Sequence, residues 1–113
     1  MYIKMRDDKN RITVAQWNMI KPYMMMEVSG EYTPTFGEVI DRFRTLWNVY
    51  ISVSPATNDD ILICKYRYEV FRLAGNDIKD QFVGSDHAYY LAARKAIQKA
   101  YEFVSVLDQK PKM

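Results

Sequence analysis

One histidine, one cysteine and a few short carboxylate pairs are all that this chain of 113 residues offers to acid–base, nucleophilic or metal chemistry. His87 follows Asp86 at what reads as a helix start, where a solvated or capping role is expected rather than that of a general base. Cys64 lies between Ile63 and Lys65 in a strand-like run with no histidine nearby in sequence. That is the setting of a buried structural thiol, not of an activated nucleophile. Asp59 with Asp60, and Asp77 with Asp80, fall in turns or on a strand edge, where carboxylates shape turns and stay solvated. A closed metal site needs several converging ligands, so none is expected from a single histidine and a single cysteine. The four glycines stand apart at positions 30, 37, 75 and 84, leaving no glycine-rich loop to cradle phosphates. These residues point to no enzyme, no cofactor and no metal.

Basic residues are the remaining chemistry. Sixteen lysines and arginines against fourteen acids leave a net charge of +2, too little to attract a phosphate backbone by overall field. Two local groupings are candidates for an interaction surface. Lys65, Arg67 and Lys79 share an open sheet face with Tyr50, while Arg94, Lys95 and Lys99 face outward from the last helix. Glu69, Asp80 and Glu102 interrupt both groupings, as on a solvated charged face.

Composition bounds the rest. Apolar residues make up 49% and charged residues 27%, the balance of one globular domain over 1–113 that can bury a core without disulfides or metal. A lone cysteine makes no intramolecular disulfide, so a reducing cytoplasm is the expected location. The first eight residues lack the apolar core of a signal peptide and no run of about 18 apolar residues occurs, so no membrane partner is expected.

Elements follow from spacing. Met1 to Met5 read as a short strand, and Thr13 opens a helix with Val14, Trp17, Ile20 and Met24 on one side and Gln16 closing a capping box. Pro22 is expected to end or kink that helix near Lys21. Of Met24, Met25 and Met26, one or two should fill gaps under the sheet and the rest lie partly exposed, or offer a pliable partner surface. The first thirty residues thus form an accessory segment ahead of a core over 33–104. Thr35 and Glu38 form a capping box ahead of a clear amphipathic helix with Phe36, Val39, Ile40, Phe43, Leu46 and Trp47 on one face, and Asn48 can end it in the left-handed conformation.

A strictly alternating strand from Val49 to Ser54 follows, then a polar turn over 55–60 and a longer strand-like run from Ile61 to about Leu73. In that run Phe71 and Leu73 share a side with Arg67 and Glu69, so a bulge or bend within it is expected. Gly75, Asn76 and Asp77 turn the chain into a third strand over Ile78 to Val83, with Ile78, Asp80 and Phe82 on one side. Ser85 or Asp86 caps a last helix to about Val104, whose alanines allow close approach to the sheet. The tail over 108–113 is polar and expected to fray.

The α-β-β-β-α order over 35–104 resembles the topology of the double-stranded-RNA-binding domain, whose last helix is likewise alanine-rich. That family carries Gly-Pro-x-His in its first inter-strand loop and Lys-Lys-x-x-Lys at the start of its last helix. Here an acidic loop over 55–60 and the run from Ser85 to Tyr89 stand in those places. The resemblance therefore implies the layout and argues against duplex-RNA binding. The run from Pro34 to Asn48, the alternating strand after it and the alanine-rich last helix also resemble small uncharacterised proteins of Bacteroides-type gut bacteria and their phages or mobile elements. That resemblance implies an origin, not an activity.

The expected fold is α+β, a three-stranded antiparallel meander with helices at 36–48 and 86–104 on one face and an accessory N-terminal helix. The expected role is a small non-enzymatic accessory or protein-binding module with an unknown protein partner. The alternatives are a weak nucleic-acid-binding module, or a homodimer through the sheet face or edge with Tyr50 and Phe71 as contacts, against a monomer otherwise.

Overall fold

The computed structural model describes residues 9–27, 32–56 and 66–108. The expected strand at Met1–Met5, the thiol of Cys64, the cation of Lys65 and the tail beyond Asp108 lie outside the described residues. The described elements are three helices and a three-stranded sheet in the order α1 (Val14–Met24), α2 (Phe36–Trp47), β1 (Val49–Pro55), β2 (Tyr66–Ala74), β3 (Asp77–Asp86) and α3 (Tyr89–Asp108). This is the expected small α+β domain, and its order is consistent with that of the double-stranded-RNA-binding domain.

The sheet is an antiparallel meander in the order β1-β2-β3. β1 pairs with β2 from Val49 opposite Arg72 to Pro55 opposite Tyr66, and β2 pairs with β3 from Tyr66 opposite Asp86 to Ala74 opposite Asp77. A two-residue loop, Gly75 and Asn76, joins the latter pair. Gly75 sits at φ +66, the first central position of a hairpin turn that glycine alone occupies without strain. Among the described strands the irregularity is on β3. Leu73 pairs with Ile78 but Arg72 with Asp80, so the extra residue is Lys79, while Tyr66 to Arg72 pair with β1 without a break and residues 61–65 of the run lie outside the described residues. The bulge also separates Ile78 from Asp80 and Phe82, which alternation alone had placed on one side.

One face of the sheet is covered. Val49, Ile51 and Val53 of β1, Tyr68 and Val70 of β2 and Phe82 of β3 pack against Phe36, Val39 and Phe43 of α2 and a row of buried α3 residues. In that row Ala92, Ala93, Ala96 and Ala100 bring the α3 backbone close to the strands, while Ile97 and Val104 fill the space between. The helix runs to Asp108 rather than stopping near Val104, and β3 extends to Asp86, so Ser85 and Asp86 are strand residues.

The three helices run in one direction. At their starts, Phe36 N–H donates to the Asn10 carbonyl (3.2 Å), Arg11 bridges Thr35, and the Phe36 ring meets Tyr89 edge-on. Farther along, the Trp47 indole N–H donates to the Tyr23 carbonyl (2.8 Å), and Tyr23 packs edge-on against both Trp47 and Tyr101. α1 is the expected accessory helix, packed on α2 and α3, and Ile12, Trp17, Ile20 and Met24 bury there as part of one continuous core. Thr13 caps it through Gln16 N–H, but the Gln16 side chain leaves the capping box open and donates instead to the Arg94 carbonyl (2.8 Å).

Pro22 does not end α1 near Lys21. The helix continues to Met24, losing only the bond that an N–H at 22 would give the carbonyl of exposed Asn18. Met25 ends it in the left-handed conformation (φ 49), and the Arg42 guanidinium donates to the carbonyls of Met25 (2.9 Å) and Met24 (3.5 Å). Met24 is buried, Met26 half-buried and Met25 exposed, so the three methionines divide as a core residue, a filler and a surface residue. Asn48 ends α2 in the left-handed conformation (φ 56), as its position predicts, with the full Thr35–Glu38 capping box at the other end.

Candidate interaction surface

No described helix covers the second face of the sheet. Alternation along the strands assigns to it Tyr50, Ser52 and Ser54 of β1, Arg67, Glu69, Phe71 and Leu73 of β2, and Gln81, Val83 and Ser85 of β3. Ile78, opposite Leu73, joins them. Tyr50 and Phe71 are directly opposed and stack nearly parallel, with ring centroids 5.2 Å apart at 12°. That stacking leaves both rings half-buried, not fully exposed as the alternation suggests. Ile78 and Val83 remain 54% and 43% exposed, the apolar side chains of this face most open to solvent. A ladder of polar groups accompanies them, with the Gln81 amide donating to the Glu69 carboxylate (2.9 Å) across the β2–β3 pair.

Of the first basic grouping, the two described residues, Arg67 and Lys79, stand apart. Arg67 is on this face beside Glu69 and between Ser54 and Ser85, while Lys79 sits in the bulge at the far end of the sheet, and Lys65 lies outside the described residues. Arg72 is on the covered face, where it forms an ion pair with Asp80 (2.7 Å).

The second grouping is divided among structural tasks. Arg94 does not face outward: its guanidinium is half-buried over the Tyr90 ring (5.0 Å) and donates to the Arg11 carbonyl (3.0 Å), tying α3 to the segment ahead of α1. Lys95 pairs with Asp86 (2.8 Å). Lys99 leans over the Phe82 ring at the sheet edge (4.2 Å) and pairs with Glu102 (3.0 Å). Placement on one helix had suggested a shared outward stripe, but Lys95 and Lys99, four apart, turn together toward β3, where Asp86 and the Phe82 ring meet them, while Arg94, about 100° round the helix from Lys95, turns to the Arg11 carbonyl.

Asp86 is the most constrained ionisable group. Its carboxylate is only 10% exposed and accepts from Lys95 Nζ (2.8 Å), from the His87 N–H (2.7 Å) and from His87 Nδ1 (2.8 Å). The hydrogen bond from Lys95 holds its carboxyl below the ordinary value of 3.8, against the opposite effect of burial and with help from the His87 N–H. A carboxyl lowered on folding stabilises the fold above its unfolded value, and this contribution disappears as pH falls through the lower folded value. An Asp86→Asn variant should therefore be less stable than the parent at neutral pH. The gap should close as pH falls below about 4 in acid-melting curves; a gap independent of pH would remove the charge from the account.

His87 is largely exposed and rests on Asp86, with no nucleophile placed against it by any described contact. Among the described residues no group of three or more histidine, cysteine and carboxylate side chains is placed to hold a metal ion. No helix among them is long and apolar enough to cross a membrane.

Sequence reasoning found Tyr50, Phe71 and Arg67 on this face but missed Ile78 and Val83. The two-residue turn at Gly75–Asn76 is the signal that finds Ile78, because it fixes Leu73 opposite Ile78 and leaves Lys79 as the extra residue. Compared with protein-family models, with curated proteins and with solved structures, the chain matches none.

Proposed function

We propose that the protein is a small non-enzymatic binding module that engages a protein partner through the open face of its sheet. The observation that carries this reading is a sheet face that no described helix covers, centred on the stacked Tyr50–Phe71 pair. Leu73, Ile78 and Val83 extend the apolar area, and Ser52, Ser54, Arg67, Glu69, Gln81 and Ser85 surround it with hydrogen-bonding groups. An apolar centre with a polar rim is the anatomy of a protein interface. A nucleic-acid role receives less support, because phosphate binding needs cations that can leave their present contacts. Arg94, Lys95 and Lys99 are each engaged with a carbonyl, a carboxylate or a ring, and Arg67 stands beside Glu69.

A photo-crosslinking residue at Ser52 tests the reading in cells that make the protein, with the same residue at exposed Asn18 as control. A discrete adduct at Ser52 only, lost when Phe71 is changed to Glu, is the expected result. Equal labelling at both sites, or an adduct insensitive to Phe71→Glu, counts against the open face. Salt-sensitive retention of oligonucleotides by the purified protein would favour the nucleic-acid alternative.

A further inference from the structure

Every described arginine but one is already committed. Arg11, Arg42 and Arg94 donate to backbone carbonyls, while Arg44 and Arg72 are ion-paired with Asp41 and Asp80. Arg67 is the exception. It stands exposed on the open face, and among the described residues no carboxylate, carbonyl or ring meets its guanidinium. Glu69 is two residues along the same strand on the same side, yet its carboxylate accepts from the Gln81 amide across the β2–β3 pair (2.9 Å).

The neighbours of Arg67 are short. Ser54 of β1 and Ser85 of β3 lie directly opposite it, and Ser52 is the next β1 residue on this face. Hydroxymethyl groups cannot cover a guanidinium, and Ser52 and Ser54 are themselves exposed. Beyond them rise the stacked rings of Tyr50 and Phe71. The β1–β2 half of the face is therefore a low shelf, with rings at one end and a guanidinium at the other. Four residues of strand separate Phe71 from Arg67, about 13 Å at the usual rise. Aromatic rings and arginine are the groups on which binding energy concentrates at protein interfaces.

We propose that the partner segment seated on this shelf presents a side-chain carboxylate to Arg67 while one of its apolar side chains packs on Tyr50 and Phe71. The inference rests on the open face being the partner surface and adds the chemistry of what lies there. A guanidinium takes a carboxylate through two parallel N–H···O bonds, and the Ser54 hydroxyl opposite can donate a third. In the unbound protein water solvates Arg67. A partner that covered it without supplying an anion would bury an uncompensated charge, so Arg67 selects among the apolar segments that the rings alone would accept. A carboxylate suits the shelf better than a phosphate. Glu69 lies about 7 Å along the strand on the same side, where it opposes a dianion more than a monoanion, and no second described cation shares the shelf.

The test selects a displayed library of random peptides on the whole chain, on Phe71→Glu and on Arg67→Glu. The parent should enrich peptides that hold one acidic position at a fixed spacing from one apolar position. Phe71→Glu should abolish the enrichment, and Arg67→Glu should keep the apolar position while exchanging the acid for lysine or arginine. The best parental peptide should bind Arg67→Glu about tenfold more weakly, and changing its acid to lysine should restore the affinity. A Phe71-dependent consensus without an acidic position, or the same acidic consensus on Arg67→Glu, overturns the proposal and leaves the open face standing. A library with no Phe71-dependent consensus overturns the open face and the proposal together. Single-stranded oligonucleotides enriched from a parallel random pool in place of peptides, and lost on Arg67→Glu, give Arg67 to a phosphate and overturn it as well. If Arg67→Glu fails to fold, Arg67→Gln takes its place and should lose the acidic preference without reversing it.

Discussion

Phe43→Ala should lower the unfolding free energy by about 3–5 kcal/mol, the usual cost of deleting a fully buried aromatic side chain. Phe43 has no exposed surface and lies between α2 and the covered face of the sheet, among Val39, Val49 and the α3 alanines. Those alanines have short side chains on a rigid helix, so they cannot reach into the vacated space. The cavity persists, which puts the loss at the upper end of the range. A domain of this size has about 5–15 kcal/mol of stability in all, so the variant should approach half-unfolding under mild conditions. Trp47 shares the stripe but is half-buried, and its truncation should cost less despite losing the bond to the Tyr23 carbonyl. Urea midpoints of the two variants measure the difference. A midpoint for Phe43→Ala within error of the parent would take α2 out of the core.

The second large effect is expected at Gly84, which faces Tyr68 across the β2–β3 pair. A β-carbon there would overlap the Tyr68 Oη, Cζ and Cε2 atoms, because the ring lies directly over the glycine. Tyr68 is buried under α3 with Phe82 stacked beside it (6.0 Å, 29°), so the ring has little room to move aside. Gly84→Ala should cost about 3 kcal/mol, the high side of ordinary overpacking. The cost should depend on the ring: in a Tyr68→Ala background, Gly84→Ala should be neutral or stabilising, since alanine suits a strand better than glycine. Additive losses in the double-mutant cycle would show that the glycine is needed for its backbone and not for the ring above it.

Much of this architecture was readable from residue spacing because the strongest signals are local. The Thr35–Glu38 box, the left-handed Asn48 and the apolar stripe between them each depend on neighbours within one or two helical turns, and each stands as expected. The alternation of β1 was equally direct. Misreadings arose where long-range partners decide. Gln16 could close a capping box by spacing, but it finds the Arg94 carbonyl 78 residues away. Pro22 ends helices by local rule, yet the Tyr23 and Met24 that follow it are held by Trp47 and the core. Arg94, Lys95 and Lys99 look like one basic stripe until the sheet edge and the segment ahead of α1 supply each with its own partner. The open face was half legible: Tyr50 and Phe71 followed from alternation, but the bulge that adds Ile78 depends on which residues close the hairpin.

The position of α3 governs when this protein can take shape during its synthesis. α3 lies across all three strands and also holds α1, through Gln16 to the Arg94 carbonyl and Arg94 to the Arg11 carbonyl, a link spanning 83 residues. Every other described element precedes it in the chain. α1, α2 and the meander therefore leave the ribosome with their apolar faces unmatched and wait for a helix that is made after them. The strands can pair as they emerge, since each neighbours the next in sequence, but a sheet without its helical cover gains little stability. Consolidation comes in a single late step once residues near Asp108 are free of the exit tunnel. Until then the nascent chain carries an uncovered sheet, which is the interval in which chaperones would find something to hold.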